Sequence, residues 1–279
     1  MFVIFSRKLK KNWLMILGWG VGLGILAYYL FDIYDTLFQQ DVNLQQLLNA
    51  FPEGMLAFFG GEDVDLFSPS GFLHLEFFSY MPIVLGIMVV TSAANLITRS
   101  EEEGSLELIL AQPVSRSLVF WSRTLALVLS VSLILVIVWA GAAIGLELHD
   151  FDLTQGQLIR PFFTLFAILI LFLGLALFLS MVLPNSSAAS LGAGFVLIAG
   201  YFISSLARID DNLEGVNRFS PLKYYQGGTA VNGLNEGHLL LLLGLAVVFL
   251  LLAWFFFVKR DLRFGGAGGL RLVFKRGER

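Results

Sequence analysis

Between residues 99 and 118, Arg99, Glu101, Glu102, Glu103, Glu107 and Arg116 form a polar island between two apolar stretches. Three adjacent glutamates suit acid–base or metal chemistry poorly, because on a helix neighbours point in different directions. His74, His149 and His238 stand far apart, each near the expected outer end of an apolar segment. They read as separate interfacial residues more readily than as a metal cluster. The chain has no cysteine, which excludes disulfides, thiolate ligands and a thiol nucleophile. Gly-Lys occurs nowhere, so no phosphate-cradling G-x-x-x-x-G-K-[ST] loop is present. No charged residue falls clearly in the middle of an apolar stretch, where ion-coupled carriers and pumps usually keep one. The residues therefore predict no catalytic, cofactor-binding or metal site, and no enzyme activity in this chain. They favour an apolar or amphipathic cargo moved by conformational change that is powered elsewhere.

The elements that must hold these residues are membrane spans. Of 279 residues, 57% are hydrophobic and 14% charged, against about 25% charged in a soluble domain. The expectation is an all-α integral membrane protein, a single domain over 1–279 with six transmembrane helices. The spans are read at 13–31, 77–98, 119–146, 161–183, 188–207 and 238–258, each an apolar run of suitable length. Residues 1–12 carry Arg7, Lys8, Lys10 and Lys11 among apolar residues, a basic amphipathic lead-in suited to a membrane face. No small-residue cleavage site follows, so the first apolar run reads as a retained span and not a signal peptide. That span holds Gly18, Gly20, Gly22 and Gly24, which allow another helix to approach closely.

The long connection 32–76 contains no Lys or Arg. Leu44, Leu47, Leu48, Phe51, Met55, Phe58 and Phe59 make an apolar stripe in it, predicting an interfacial helix on the outer leaflet. Ser68-Pro69-Ser70-Gly71 predicts a turn back toward the membrane. In the fourth span, Phe163, Phe166, Phe172 and Phe178 could line a hydrophobic path, although packing is the commoner fate of such side chains.

Charge gives the sidedness. With six spans, 14 of the 18 Lys and Arg residues fall on the side of the termini, and 15 of the 21 Asp and Glu residues fall on the other. The positive-inside rule then places both termini, the 99–118 loop and the 259–279 tail in the cytoplasm, for a multi-pass protein of the plasma membrane. Within the loop, Ser100 and Glu103 have capping-box spacing. Leu106, Ile109 and Leu110 share one helical face. Pro113 ends the helix, and Ser115 or Ser117 caps the next.

The run Glu102-Glu103-Gly104-Ser105-Leu106-Glu107-Leu108-Ile109-Leu110-Ala111-Gln112-Pro113-Val114-Ser115-Arg116 resembles the coupling-loop signature of ABC-2-type ABC transporter permeases, E-x-G-[ST]-L-E-L-L-L-A-x-P-[VI]-[ST]-R. Phe257-Val258-Lys259-Arg260-Asp261-Leu262 more weakly resembles that family's F-x-x-R-D-[LI] exit from the last span. The resemblance implies a permease subunit of an ATP-driven exporter for a drug, antibiotic or lipid-like molecule. It implies a second permease chain, identical or related, membrane lipid around both, and two copies of a separate ATP-binding subunit that hold the ATP and Mg. It implies no nucleic-acid partner. A cytoplasmic coupling helix from Ser105 to Gln112 would dock on the ATPase. Glu103 and Glu107 would meet basic residues there, Leu106, Ile109 and Leu110 would fill its groove, and Ser105, Gln112 and Arg116 would flank the contact. The plainer alternative is that the glutamates are solvated and the leucines pack on the spans. A different class also remains open, a non-transporting scaffold that binds a cytoplasmic partner through the same loop.

Overall fold

The computed structural model describes residues 2–39, 58, 68–102, 104, 106, 111–149 and 151–259. Among them there is no strand, and six helices are long and apolar enough to cross a membrane: Trp13–Thr36, Pro69–Glu101, Arg116–Leu148, Gln155–Val182, Ser186–Leu206 and Glu236–Lys259. The protein is an all-α multi-span membrane protein. A basic amphipathic helix, Phe2–Lys11, precedes the first span. Asn12 forms a turn between the two: its N–H donates to Lys8 O at 3.1 Å, and its carbonyl accepts the Ile16 N–H at 2.9 Å as the span begins.

The second span starts earlier than the sequence suggests. Ser68-Pro69-Ser70-Gly71 opens a helix instead of turning: Ser68 Oγ accepts the Gly71 N–H at 3.1 Å and Pro69 occupies the first turn. Proline suits that position because its missing N–H would lack a helical partner anyway. The chain runs through Pro69–Leu73, a π-helical turn at His74–Phe78 and a regular helix at Met81–Ala94, whose first turn holds Pro82. Thr98–Glu102 follows as a further short helix. Ser100 lies inside that helix and not at its N-cap, so the chain does not begin a new helix there.

The third span has 33 residues, about 50 Å at 1.5 Å per residue, against a hydrocarbon core of about 30 Å. Ser115 caps it, accepting the Leu118 N–H at 3.2 Å. The outer loop that follows is shorter than read. Thr154 and Gln157 form a capping box, so the fourth span begins at Gln155 and carries Arg160 and Pro161 in its first turns. Asn185 caps the fifth span at Ser186.

The fourth span is the centre of the bundle. Leu165, Ile168, Phe172, Leu173, Ala176 and Leu177 are all inaccessible on it, packed against the second, fifth and sixth spans. The first span lies along the third through a glycine seam. A Cβ at Gly141 would sit 2.2 Å from Gly24 O, and one at Gly20 would sit 2.9 Å from Ile137 Cδ1. Among the described residues nothing lies within 4 Å of a Cβ at Gly18 or Gly22, so the two glycine pairs of this span face opposite ways. The stripe from Leu44 to Phe59 lies outside the described residues except for Phe58. That ring packs against Tyr201 and Phe202, with centroids 6.2 and 5.9 Å away. Residues 260–279 lie outside the description.

Candidate coupling loop and apolar groove

The loop after the second span is held at both ends. At its start Thr98 Oγ1 donates to Ser180 O at 3.3 Å, and Ser100 Oγ accepts from Arg123 Nη1 at 3.0 Å. The Gly104 N–H donates to Glu101 O at 2.9 Å, and Gly104 takes φ +69°, a left-handed conformation that glycine adopts without a steric cost. Leu106 is completely buried among the chain's own helices. Gln112 and Pro113 are exposed. Glu103, Ser105, Glu107, Ile109 and Leu110 lie outside the described residues.

At its far end the loop joins the sixth span. Arg116 Nη1 donates to Val258 O at 3.5 Å, and Trp254 Nε1 donates to Ser117 Oγ at 3.0 Å. Arg116 belongs to the first recognised motif and Val258 to the second, so two stretches 142 residues apart meet at one face. Neither spacing nor composition signalled that contact. A guanidinium at the last carbonyls of a helix is favourable, since those groups have no partner within the helix.

An apolar groove of about 380 Å³ opens between the third and fourth spans. Ser132, Leu135, Val136 and Trp139 line one wall, and Ile159, Phe162, Phe163 and Phe166 the other. Both sets recur every three or four residues, so each wall is a single helical face. The volume lies in the range of sites for drug-sized molecules, about 300–1,000 Å³. Trp139 Nε1 is buried and has no hydrogen-bond partner among the described residues. A bound molecule with an oxygen or nitrogen acceptor would satisfy it. The Ser132 hydroxyl is already committed, donating to Val128 O at 3.0 Å. Of the four phenylalanines singled out in the sequence, Phe163 and Phe166 line the groove. Phe172 is wholly buried, and Phe178 packs on Phe249 and Phe256. Trp139 was missed, although its spacing from Ser132 and Leu135 was legible.

The three histidines do separate work. His74 is buried, and its Nδ1 accepts the Gly228 N–H at 3.1 Å. His149 lies 3.4 Å from Asp32 Oδ1 and 2.9 Å from Gly145 O. His238 stands edge-on to Tyr224. Among the described residues no group of three or more potential ligands could hold a metal. Around His74, the connection between the fifth and sixth spans closes one end of the bundle. Tyr225 Oη donates to Phe78 O at 2.9 Å, and burial, with Tyr201 adding to it, pushes its pKa well above the usual tyrosine value. Ser204 Oγ is 2.8 Å from both Asn217 Oδ1 and Ser220 Oγ, and Arg160 Nη1 donates to Val231 O at 3.1 Å.

No curated protein matches the chain. Residues 8–257 match the family described as the C-terminal domain of the multidrug efflux system permease Rv1217c. That match covers nearly the whole of the six-span bundle, including both walls of the groove and both anchored ends of the loop, and the chain belongs to this permease family.

Proposed function

We propose that this chain is the membrane subunit of an ATP-driven exporter of the ABC-2 type, with the loop at 99–118 as its contact to a separate ATP-binding subunit. The observation that carries the reading is the 102–116 motif, placed between spans two and three and tied by Arg116 to the end of span six. A wedge joined to several spans transmits motion as a rigid body when the ATPases close beneath it. The near-absence of charge inside the spans and the apolar groove beside Trp139 support a hydrophobic cargo that carries a hydrogen-bond acceptor. Family membership supports the efflux direction. Leu106, buried within the chain, anchors the loop, and the docking face is assigned to Glu103, Ser105, Glu107, Ile109, Leu110 and Gln112. ATP and Mg belong to the partner, and a second permease chain completes the pathway. Both termini lie in the cytoplasm.

The test uses the full chain purified from its native membranes and inverted vesicles containing it. ATP-dependent accumulation of a hydrophobic fluorescent dye, together with a co-purified P-loop subunit, is expected. Glu107→Lys combined with Ile109→Asp should abolish both while leaving the thermal stability of the isolated permease unchanged. Assembly and transport that survive the double substitution would overturn the docking assignment. A bound partner without any ATP-dependent movement would replace the reading with a scaffold.

A further inference from the structure

The lead-in helix, which carries Lys8 and Lys11, packs along the foot of the third span, which carries Arg123. Asn12 Nδ2 donates to Ser130 Oγ at 3.1 Å, and this pins the end of the lead-in helix. Arg123 is 8% exposed, and its Nη1 donates to Leu96 O at 3.1 Å and to Ser100 Oγ at 3.0 Å. Among the described residues Nε and Nη2 of Arg123 have no acceptor. Among the described residues no carboxylate pairs with Arg123 or Lys8. Lys8 is half-buried. Burial first, then repulsion from Arg123 and from Lys11, holds its ammonium down to about 8. Buried cations without a counter-charge are costly, and a bound anion relieves both the desolvation and the mutual repulsion.

The surroundings say how the anion arrives. Lys8 and Lys11 stand three residues apart on the lead-in helix, and just beyond the turn at Asn12 the first span leaves Leu14 at 70%, Val21 at 45% and Ile25 at 63% exposure, with open space beside Gly18. Trp13, 56% exposed, stands at the junction in the position of an interfacial aromatic. Cations followed within a few residues by an uncovered apolar stripe match a headgroup joined to acyl chains better than a free ion. We propose that Lys8, Lys11 and Arg123 bind the phosphate of an anionic phospholipid, whose acyl chain lies along Leu14, Gly18 and Val21 of the first span. The bound lipid holds the lead-in helix against spans two and three, beside the start of the 99–118 loop.

The test places the full chain in nanodiscs of phosphatidylcholine with a minor fraction of phosphatidylglycerol, and reads lipid retention by native mass spectrometry and the thermal midpoint. Phosphatidylglycerol should be enriched over phosphatidylcholine and should raise the midpoint. Lys8→Gln should lower the enrichment about fivefold, the ratio matching about 1 kcal/mol per basic residue near an anionic surface, and Lys8→Arg should restore it. Arg123→Gln should act likewise, and Lys8→Gln keeps the test valid if that variant does not fold. Lys10, exposed and off the cluster, is the control. Equal losses in Lys10→Gln and Lys8→Gln would reduce the effect to general surface charge and overturn the site. An equal thermal shift from inorganic phosphate in detergent would overturn the lipid assignment in favour of a free anion.

Discussion

Substituting Gly141 by alanine tests whether the first and third spans are seated as described. The added methyl would lie 2.2 Å from Gly24 O, 2.7 Å from Gly24 C and 2.8 Å from Gly24 Cα. All three are backbone atoms, so no rotamer change can yield. Ordinary contact begins near 3.4 Å, and the helices must therefore part by about 1 Å. A gap of that size forfeits roughly a quarter to a half of each contact's attraction along the seam. Overpacking of this kind costs about 1–3 kcal/mol, offset by up to about 1 kcal/mol of helix propensity gained in replacing glycine. The net expectation is a loss of about 1–2 kcal/mol for Gly141→Ala. Gly22→Ala on the opposite face meets nothing within 4 Å and should be neutral or stabilising by up to about 1 kcal/mol. Equilibrium unfolding in mixed micelles, followed by helical circular dichroism, gives both values under one condition. If the two variants are equally stable, or if Gly22→Ala is the more damaging, the first and third spans do not cross at Gly24 and Gly141.

Trp139→Phe keeps the apolar wall of the groove and deletes its only orphan donor. Nile red, which carries carbonyl oxygen, should bind about fivefold more weakly to it, the worth of one hydrogen bond of about 1 kcal/mol, whereas the hydrocarbon diphenylhexatriene should bind unchanged; equal losses for both probes would mean that the indole N–H does not meet the ligand. In the connection between the fifth and sixth spans, hydrogen bonding from Lys223 holds the Glu214 carboxyl below its ordinary range. A carboxyl with a depressed pKa contributes stability above its unfolded pKa and loses it as pH falls through the folded value. Amide exchange across 211–226, corrected for intrinsic rates, should therefore rise below about pH 4 in the native chain and lose that pH step in Glu214→Gln; an identical profile in the variant would remove Glu214 from the role.

The class of the fold was legible because its signal is redundant. Each span carries a long uncharged run, and missing one end by several residues leaves the count intact. The ends were less legible where one residue type serves two purposes. Pro69 both breaks helices and starts them, and only the Ser68 hydroxyl on the Gly71 N–H decides which. Charge misled at the outer end of span two, where Glu76 and His74 sit inside the helical segment, because a π-helical turn and the Gly228 N–H give His74 a place. At the candidate site, the sequence exposed each motif but not the contact between them, since Arg116 and Val258 meet only after six spans have packed.

The glycines of the first span make the same point from the energetic side. Gly18 with Gly22 and Gly20 with Gly24 have identical spacing, and intrinsic preference cannot separate them. The partner separates them: Gly141 and Ile137 fill one face, and among the described residues nothing lies within 4 Å of the other. The first span thus joins the bundle by a narrow strip and presents the rest of its surface, Leu14, Leu17, Val21 and Ile25, outward. A helix so seated touches the third span backbone to backbone at Gly24 and Gly141 and leaves Leu14 and Ile25 uncovered elsewhere. That division makes the lower half of the third span, where Ser130 holds Asn12, Arg123 holds Leu96 and Ser100, and Arg116 holds Val258, the place that joins the lead-in helix, the loop and the sixth span.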